Sequence, residues 1–488
     1  MFCGFLKLLK DCVFGVASLA LGGFLVLSLA LLDGRPASAL PIPGNVRAIP
    51  AFARKYSMPC SSCHEAWPKL SPFGQAFKDN GYQLGNERDS PIYQNPSYWP
   101  VTFRITPEWH RESTNRVAVD GATPGSTVEV PITTHGFDWS GLDFHTGGTL
   151  AKNISFYVLP SSDSTGAFHF ESVWARLDNL AGSSWLNLKF GKFELDNLQS
   201  EKRILTLSNV GGVYQNYHFQ PLVSPGGAGN TLTSETFYKN GIGDNQVGAE
   251  WMGHSKNDRT RVSAAVLNSN DGQPNFSSAN GMNNNGTITG KSYNGYFAAS
   301  QAFEAGGLGL QRVGGFAYIG QSPTYFKFTA TGAPIAGTGA GYKSFYRAGF
   351  IGMWYVKKFD VTTMFFHGWD NAFLGSNTAA TNALPAGARA PTWNGGLIEA
   401  HLNLNPQFIL IDRYELIRMS RQVFAGNPAN LGDMDVGTTG FRYYPFISTR
   451  AGFAIHTEFS LLQQRGGAPV TGLNLRTNSF LVGFDFAF

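Results

Sequence analysis

The sequence predicts an all-β fold: an antiparallel transmembrane β-barrel of about 16 strands, with a short N-terminal helical segment plugging or capping one end. Three observations predict it. Charged residues make up only 14% of the chain, aromatic residues another 14%, and 58 glycines are present, yet no long apolar run follows the N-terminus. From Val101 onward, segments of about ten residues alternate apolar and polar side chains. Their connections alternate between short and long, as a barrel with one short-turn end and one long-loop end requires. The net charge of +4 is spread over single lysines and arginines, which excludes nucleic acid as a partner.

The first element is an export signal over residues 1–39. Lys7 and Lys10 precede an apolar run from Val13 to Leu32, and Ala37-Ser38-Ala39 offers a small-residue cleavage site before Leu40. The run is also long enough for a retained anchor, but the cleavage motif favours a signal peptide. Cys3 and Cys12 lie in that segment. The mature chain would hold only Cys60 and Cys63, so a disulfide framework is excluded.

The second element, residues 40–98, is organised around Met58-Pro59-Cys60-Ser61-Ser62-Cys63-His64. Two thiols three apart, with an imidazole beside the second in an exported protein, form a c-type haem attachment site. Cys60 and Cys63 would make thioethers to the two vinyl groups of one haem c, and His64 would be the proximal iron ligand. A redox disulfide or half of a zinc site are the competing readings of the pair.

Around it, Pro50 opens a short helix that puts Phe52 and Tyr56 on one face. Ser71 then caps a second helix with Pro72 at its first position, Phe73, Ala76 and Phe77 on one side, and Asn80-Gly81 as its stop. The segment has too few apolar residues to fold alone, so it needs the haem and a second surface. Residues 89–100, with Pro91, Pro96 and Pro100, link it to the third element, where Trp99 starts an aromatic girdle.

The third element, residues 99–488, is the barrel. Val101, Phe103, Ile105 and Trp109 share one face of its first strand; Thr102, Arg104, Thr106, Glu108 and His110 share the other. Short turns are expected at 151–153, 180–184, 254–259, 304–309, 357–359, 405–407 and 445–448. Long loops are expected near 113–136, 195–242, 270–291, 322–341 and 371–391, with shorter ones near 161, 421 and 465. The count is least constrained at 196–240, where residues 205–219 have room for a further hairpin. The chain closes on Phe480, Val482, Phe484, Phe486 and the terminal Phe488 region, an alternating strand of the kind that ends bacterial outer-membrane barrels.

Ala53-Arg54-Lys55, the Met58 to His64 stretch, Pro68-Lys69-Leu70, Phe73-Gly74, Phe77-Lys78 and Asn80-Gly81-Tyr82, followed by a barrel, resemble the fused outer-membrane monohaem cytochrome c and porin proteins of iron-oxidising bacteria. The resemblance is specific over the haem segment and architectural over the barrel. It implies one haem in the periplasmic mouth of a 16-stranded barrel in the cell outer membrane. It also implies one-electron chemistry of the iron(II):cytochrome c oxidoreductase type, from extracellular Fe(II) to a periplasmic carrier such as a soluble cytochrome or cupredoxin. A haem-gated porin for small solutes and an electron conduit with another donor or acceptor are the alternatives.

The sixth ligand of the iron is open. Met58 is too near the attachment turn and is read as packing. His110, His145, His169, His401 and His456 fall on the inferred lumenal face. The loop acids Asp120, Glu129, Glu201, Glu235 and Asp271 could meet Fe(II) transiently, though solvation alone explains such residues. No hydrolytic or nucleotide-binding motif occurs.

Overall fold

In the computed structural model of the chain, the described residues are 52, 56, 58–66, 68–84, 101–162, 166–201, 205–208, 245–268, 293–323, 342–371, 390, 392–419, 433–447, 451–465 and 474–487. The expected signal peptide, the 89–100 linker, Trp99, Glu235 and Asp271 lie outside them.

Two short strands, β1 (His64–Ala66) and β2 (Lys69–Leu70), pair antiparallel and lead into helix α1 (Pro72–Asp79). Sixteen strands follow: β3 (Val101–Asp120), β4 (Thr127–Ala151), β5 (Ile154–Ser162), β6 (Phe168–Leu177), β7 (Asn187–Phe193), β8 (Gln246–His254), β9 (Thr260–Asn268), β10 (Tyr293–Glu304), β11 (Leu310–Pro323), β12 (Tyr342–Val356), β13 (Phe359–Asp370), β14 (Thr392–Asn405), β15 (Phe408–Met419), β16 (Asp433–Ile447), β17 (Gly452–Arg465) and β18 (Asn474–Ala487). Each pairs antiparallel with its neighbours in sequence, and β18 pairs with β3 to close the barrel. β7 pairs directly with β8, so the closed barrel counts sixteen strands among the described residues.

The side-chain pattern is that of a barrel turned inside out relative to a soluble protein. On β17 and β18, His456, Glu458, Ser460 and Asp485 are buried, while Phe459, Phe480 and Phe484 are exposed. The same inversion recurs around the circumference, with Phe137, Phe190, Phe297, Phe350 and Phe365 outside. Apolar side chains facing outward and ionised ones facing inward match a lipid exterior and a polar lumen.

Six of the seven expected short turns fall at the connections between strands at one end, whereas residues 445–447 of the seventh belong to β16. Tight backbone conformations close them, including Asn153 (φ 58°), Asp258 (φ 53°) and Lys357 (φ 58°).

Three expectations need correction. The stretch 113–136 is mostly strand: Val117 and Val119 pair with Val130 and Val128, and only residues 121–126 form the connection. The strand alternation continues through Ser113, Thr114 and Asn115. Both helices expected around the cysteines are present, at Phe52 and Tyr56 and at Pro72–Asp79, but the stretch between them, expected as a plain turn, carries the two-stranded ribbon β1–β2.

The third correction concerns the expected loop at 195–242, whose first part turns inward. Leu195, Leu198, Leu205 and Leu207 are buried, and Asn197 Oδ1 accepts from the backbone N–H groups of Gln199 and Ser200, each at 2.9 Å. Glu399 takes the N–H of Leu207 at 2.6 Å, and Arg442 Nε donates to the Leu207 carbonyl at 3.0 Å. Four leucines would be costly to leave in water, and the lumen offers them cover.

Candidate haem site

Cys60 opens a 3-10 turn, and the N–H of Cys63 returns to the Cys60 carbonyl at 3.1 Å. The turn delivers His64 into β1. Its Nδ1 lies 2.9 Å from the Pro68 carbonyl, so the neutral ring carries its proton on Nδ1 and its lone pair on Nε2. Burial pushes the imidazole pKa down to about 4, which keeps that neutral, metal-competent form at physiological pH.

Helix α1 holds the turn from behind. Ser71 caps it, its Oγ accepting from Gly74 N at 3.1 Å, while the Ser71 N–H donates to the Cys63 carbonyl at 2.8 Å. At the other end, Arg176 of β6 donates from Nη2 to the Lys78 carbonyl at 3.1 Å. A cation thereby meets the negative end of the helix dipole. Phe77, Asp79, Gly74 and Gln75 are buried; Phe73 is half exposed.

Cys60, Cys63 and His64 line one cavity, shared with Met58, Phe73 and Phe77 of the segment and with Thr102, Arg104, His145, Tyr157 and Trp174 of the barrel wall. Its space, counted together with the open solvent at its mouth, is roughly 1370 Å³. Aromatic rings form much of the wall: Phe52 stacks on Tyr82 at 4.9 Å and 9°, and Tyr82 stacks on Trp174 at 6.2 Å and 16°.

Burial pushes the Cys60 thiol up to about 11 and Cys63 in the same direction. Neither is an activated thiolate of the redox-disulfide kind. Among the described residues, no group of three or more histidine, cysteine, aspartate or glutamate ligands includes either cysteine, which weighs against a zinc half-site. The residues fit a c-type haem: two thiols, a neutral imidazole beside the second, and an apolar aromatic cavity around all three.

The segment is tied to the short-turn end of the lumen by charge. Lys69, 1% exposed, forms an ion pair with Asp360 at the start of β13 and lies 3.3 Å from both Glu65 and His401 Nδ1. Lys78 pairs with Glu201 at 2.8 Å and Glu194 at 3.3 Å. Burial works to lower the Lys78 pKa, but the two carboxylates outweigh it and hold it well above its ordinary value. Asp79 pairs with Arg261 of β9 at 2.8 Å.

These contacts reassign several expected residues. Glu201 is not a loop acid open to iron but a buried partner of Lys78, and Glu129 is paired with Arg116. Asp120 is exposed at the end of β3. His401 is held by Glu399 at 2.5 Å and by Asp360 at 3.4 Å, so it belongs to the anchoring network. His456 is buried in β17, and His169 lies opposite Ser161, on the lumenal face. Of these histidines only His145 joins His64 at the cavity, with Nδ1 2.7 Å from Tyr157 Oη. The anchoring set of Lys69, Asp360, Glu399 and residues 194–201 and 205–208 is not legible in the sequence. Its barrel members Asp360 and Glu399 are polar residues of lumenal faces, and pattern alone does not say which lumenal groups meet.

No family model matches the chain, and no curated protein matches it. Among solved structures it is similar to an anion-selective porin from Comamonas acidovorans, with 11% identity and a TM-score of 0.47, covering 80% of this chain and 99% of that one. It is also similar to OmpT of Vibrio cholerae (9% identity, TM-score 0.44, 79% and 99% covered) and to the channel DcaP of Acinetobacter baumannii (9%, 0.44, 80% and 97%). At such identities the likeness extends to barrel architecture alone.

Proposed function

We propose that the chain is an outer-membrane c-type cytochrome enclosed by its own barrel. It takes electrons from an extracellular donor, foremost Fe(II), and passes them to a periplasmic carrier. The observation that carries this reading is the convergence of Cys60, Cys63 and His64 on one aromatic-lined cavity inside the short-turn end of a closed barrel. A haem c held there would supply one-electron exchange between the two sides of the membrane. The chain's own residues do the rest. Cys60 and Cys63 fix the group covalently, His64 presents Nε2, and Lys69, Lys78 and Asp79 lock the segment to the wall.

The outer-membrane location is supported by the outward apolar and inward ionised faces, and the short-turn end is the periplasmic one in barrels of this class. The resemblance of residues 53–82 to the fused cytochrome c and porin proteins supports Fe(II) as the donor. Stopped-flow mixing of the oxidised protein with Fe(II) tests it: the haem Soret and α bands should shift to the reduced form, and an unchanged spectrum would defeat the iron assignment.

A second reading, a porin whose lumenal segment acts as a gate, draws on the 16-stranded closed barrel itself. Liposome swelling separates the two. Solute entry at ordinary porin rates favours the gate; its absence favours a conduit for electrons alone.

A further inference from the structure

Outward of the haem cavity, the lumenal faces of β3 and β4 bring two carboxylates and an imidazole together. Thr102 and Arg104 line the cavity. Glu108 and His110 continue the same face of β3, so Glu108 stands ~13 Å of strand beyond Arg104 towards the long-loop end. Glu108 lies directly opposite Asp138 of β4. The ligating atoms of Glu108, His110 and Asp138 all fall within 4.8 Å of one another, with Asp138 Oδ2 3.8 Å from His110 Nδ1.

The arrangement is unfavourable as bare protein. Two like charges directly opposite across an antiparallel pair repel. Among the described residues, no lysine or arginine forms an ion pair with either of them. The neighbouring row adds more negative charge rather than less: His110 lies opposite Leu481, which lies opposite Glu458. A second imidazole is close by. Glu108 is opposite Gly483 and Gly483 is opposite His456, and a β-carbon on that glycine would sit 2.7 Å from His456 Nε2 and 3.0 Å from Glu108 Cβ. The missing side chain leaves the space between the two residues open across β18.

The side chains of His110 and Asp138 are 34% and 40% exposed, so the group opens onto the lumen. One imidazole and two carboxylates, with further positions left to water, suit a first-row divalent cation such as Fe(II), Mn(II) or Co(II). An open, hydrated site of this kind exchanges its ion readily.

We propose that Glu108, His110 and Asp138 form a divalent-cation site on the lumenal wall, and that it receives the ferrous substrate on its way to the haem cavity. The second half of that statement rests on the function proposed above; the first does not.

Two measurements on the full-length holoprotein in detergent separate them. Isothermal titration with Co(II) should find one saturable site, weakened at least 10-fold in Glu108→Gln, His110→Gln and Asp138→Asn and lost in the triple variant. Heat-modifiable gel migration and haem content serve to verify that each variant folds. A parent without a saturable site, or variants that bind Co(II) as the parent does, overturns the site. Stopped-flow reduction at limiting Fe(II) should then slow at least 5-fold in each variant. If Co(II) binds as expected but Fe(II) fails to reduce the parent, the iron reading falls and the cation site stands. If Fe(II) reduces parent and variants at one rate while Co(II) binding is lost, the site is not on the substrate's path.

Discussion

A β-carbon added to Gly74 would stand 2.0 Å from the carbonyl oxygen of Cys63. The obstacle is backbone, so no side-chain rotation relieves it, and the first turn of α1 can press on the attachment turn only through a glycine. Gly74→Ala should push the two apart at a cost of about 1–3 kcal/mol. Haem bound per polypeptide, read by pyridine haemochrome, should fall. Gly437→Ala, where no atom lies within 4 Å of the added carbon, should leave it unchanged. Equal haem content in both variants would show that α1 does not hold the turn.

Lys69 joins the segment to the barrel through Asp360, and both side chains are almost fully buried. Removing one partner of such a pair strands the other charge, at about 3–5 kcal/mol. Lys69→Met should therefore release residues 58–84 locally while the strands stay closed. Hydrogen exchange should speed up across that segment and not in β13 or β14; exchange that stays slow at 58–84 would place the anchor elsewhere.

How much of this was legible in the sequence follows from what each signal depends on. The strands and short turns depend on period-two alternation and on local breakers such as Asn405-Pro406-Gln407, both written within a few residues, and outside the 113–136 stretch and the 445–448 turn they appear where expected. The cap at Ser71 and the stop at Asn80-Gly81 are equally local. The inward fold of residues 194–201 and 205–208 is not. Leu195 and Leu207 find cover from residues far along the chain, such as Glu399 and Arg442, and a leucine in a glycine-rich stretch carries no mark of which cavity will take it. The same holds for the histidines. Alternation put His145 and His401 on one face, but only the closed barrel shows that one reaches the cavity lined by Cys60, Cys63 and His64 and the other an ion network.

Asp258, in the turn before β9, is raised to about 7 by burial and by the neighbouring charge of Asp79, against the pull of Arg261 and Arg312. A carboxyl raised in the folded state stabilises the fold fully below its unfolded pKa, and that contribution is lost as pH climbs from about 4 through about 7. The protein should lose on the order of a few kcal/mol over that window and change little above it. Asp258→Asn should flatten the slope, as seen in denaturant midpoints measured between pH 5 and 8. A slope that survives the substitution would assign the titration to another group.

His145 and His64 are the two histidines at the cavity, and they come from different parts of the chain, one from a strand of the wall and one from the attachment segment. The Nδ1 of His145 lies 2.7 Å from Tyr157 Oη; where Nδ1 carries the proton, Nε2 is a lone-pair donor oriented by a second residue, as in a well-held metal ligand. With a haem c bound as proposed and His145 as its sixth ligand, His145→Ala should abolish the bis-histidine charge-transfer band in low-temperature magnetic circular dichroism of the ferric protein and shift the spectrum towards high spin. Tyr157→Phe should keep the low-spin signature but broaden it, because the ring loses its hydrogen-bonded orientation while the nitrogen stays. The corresponding change at His401, whose ring is already held by Glu399 and Asp360, should leave the spectrum as it is. A ferric spectrum unchanged by His145→Ala would remove this residue from the iron and turn attention to Met58, which lines the same cavity.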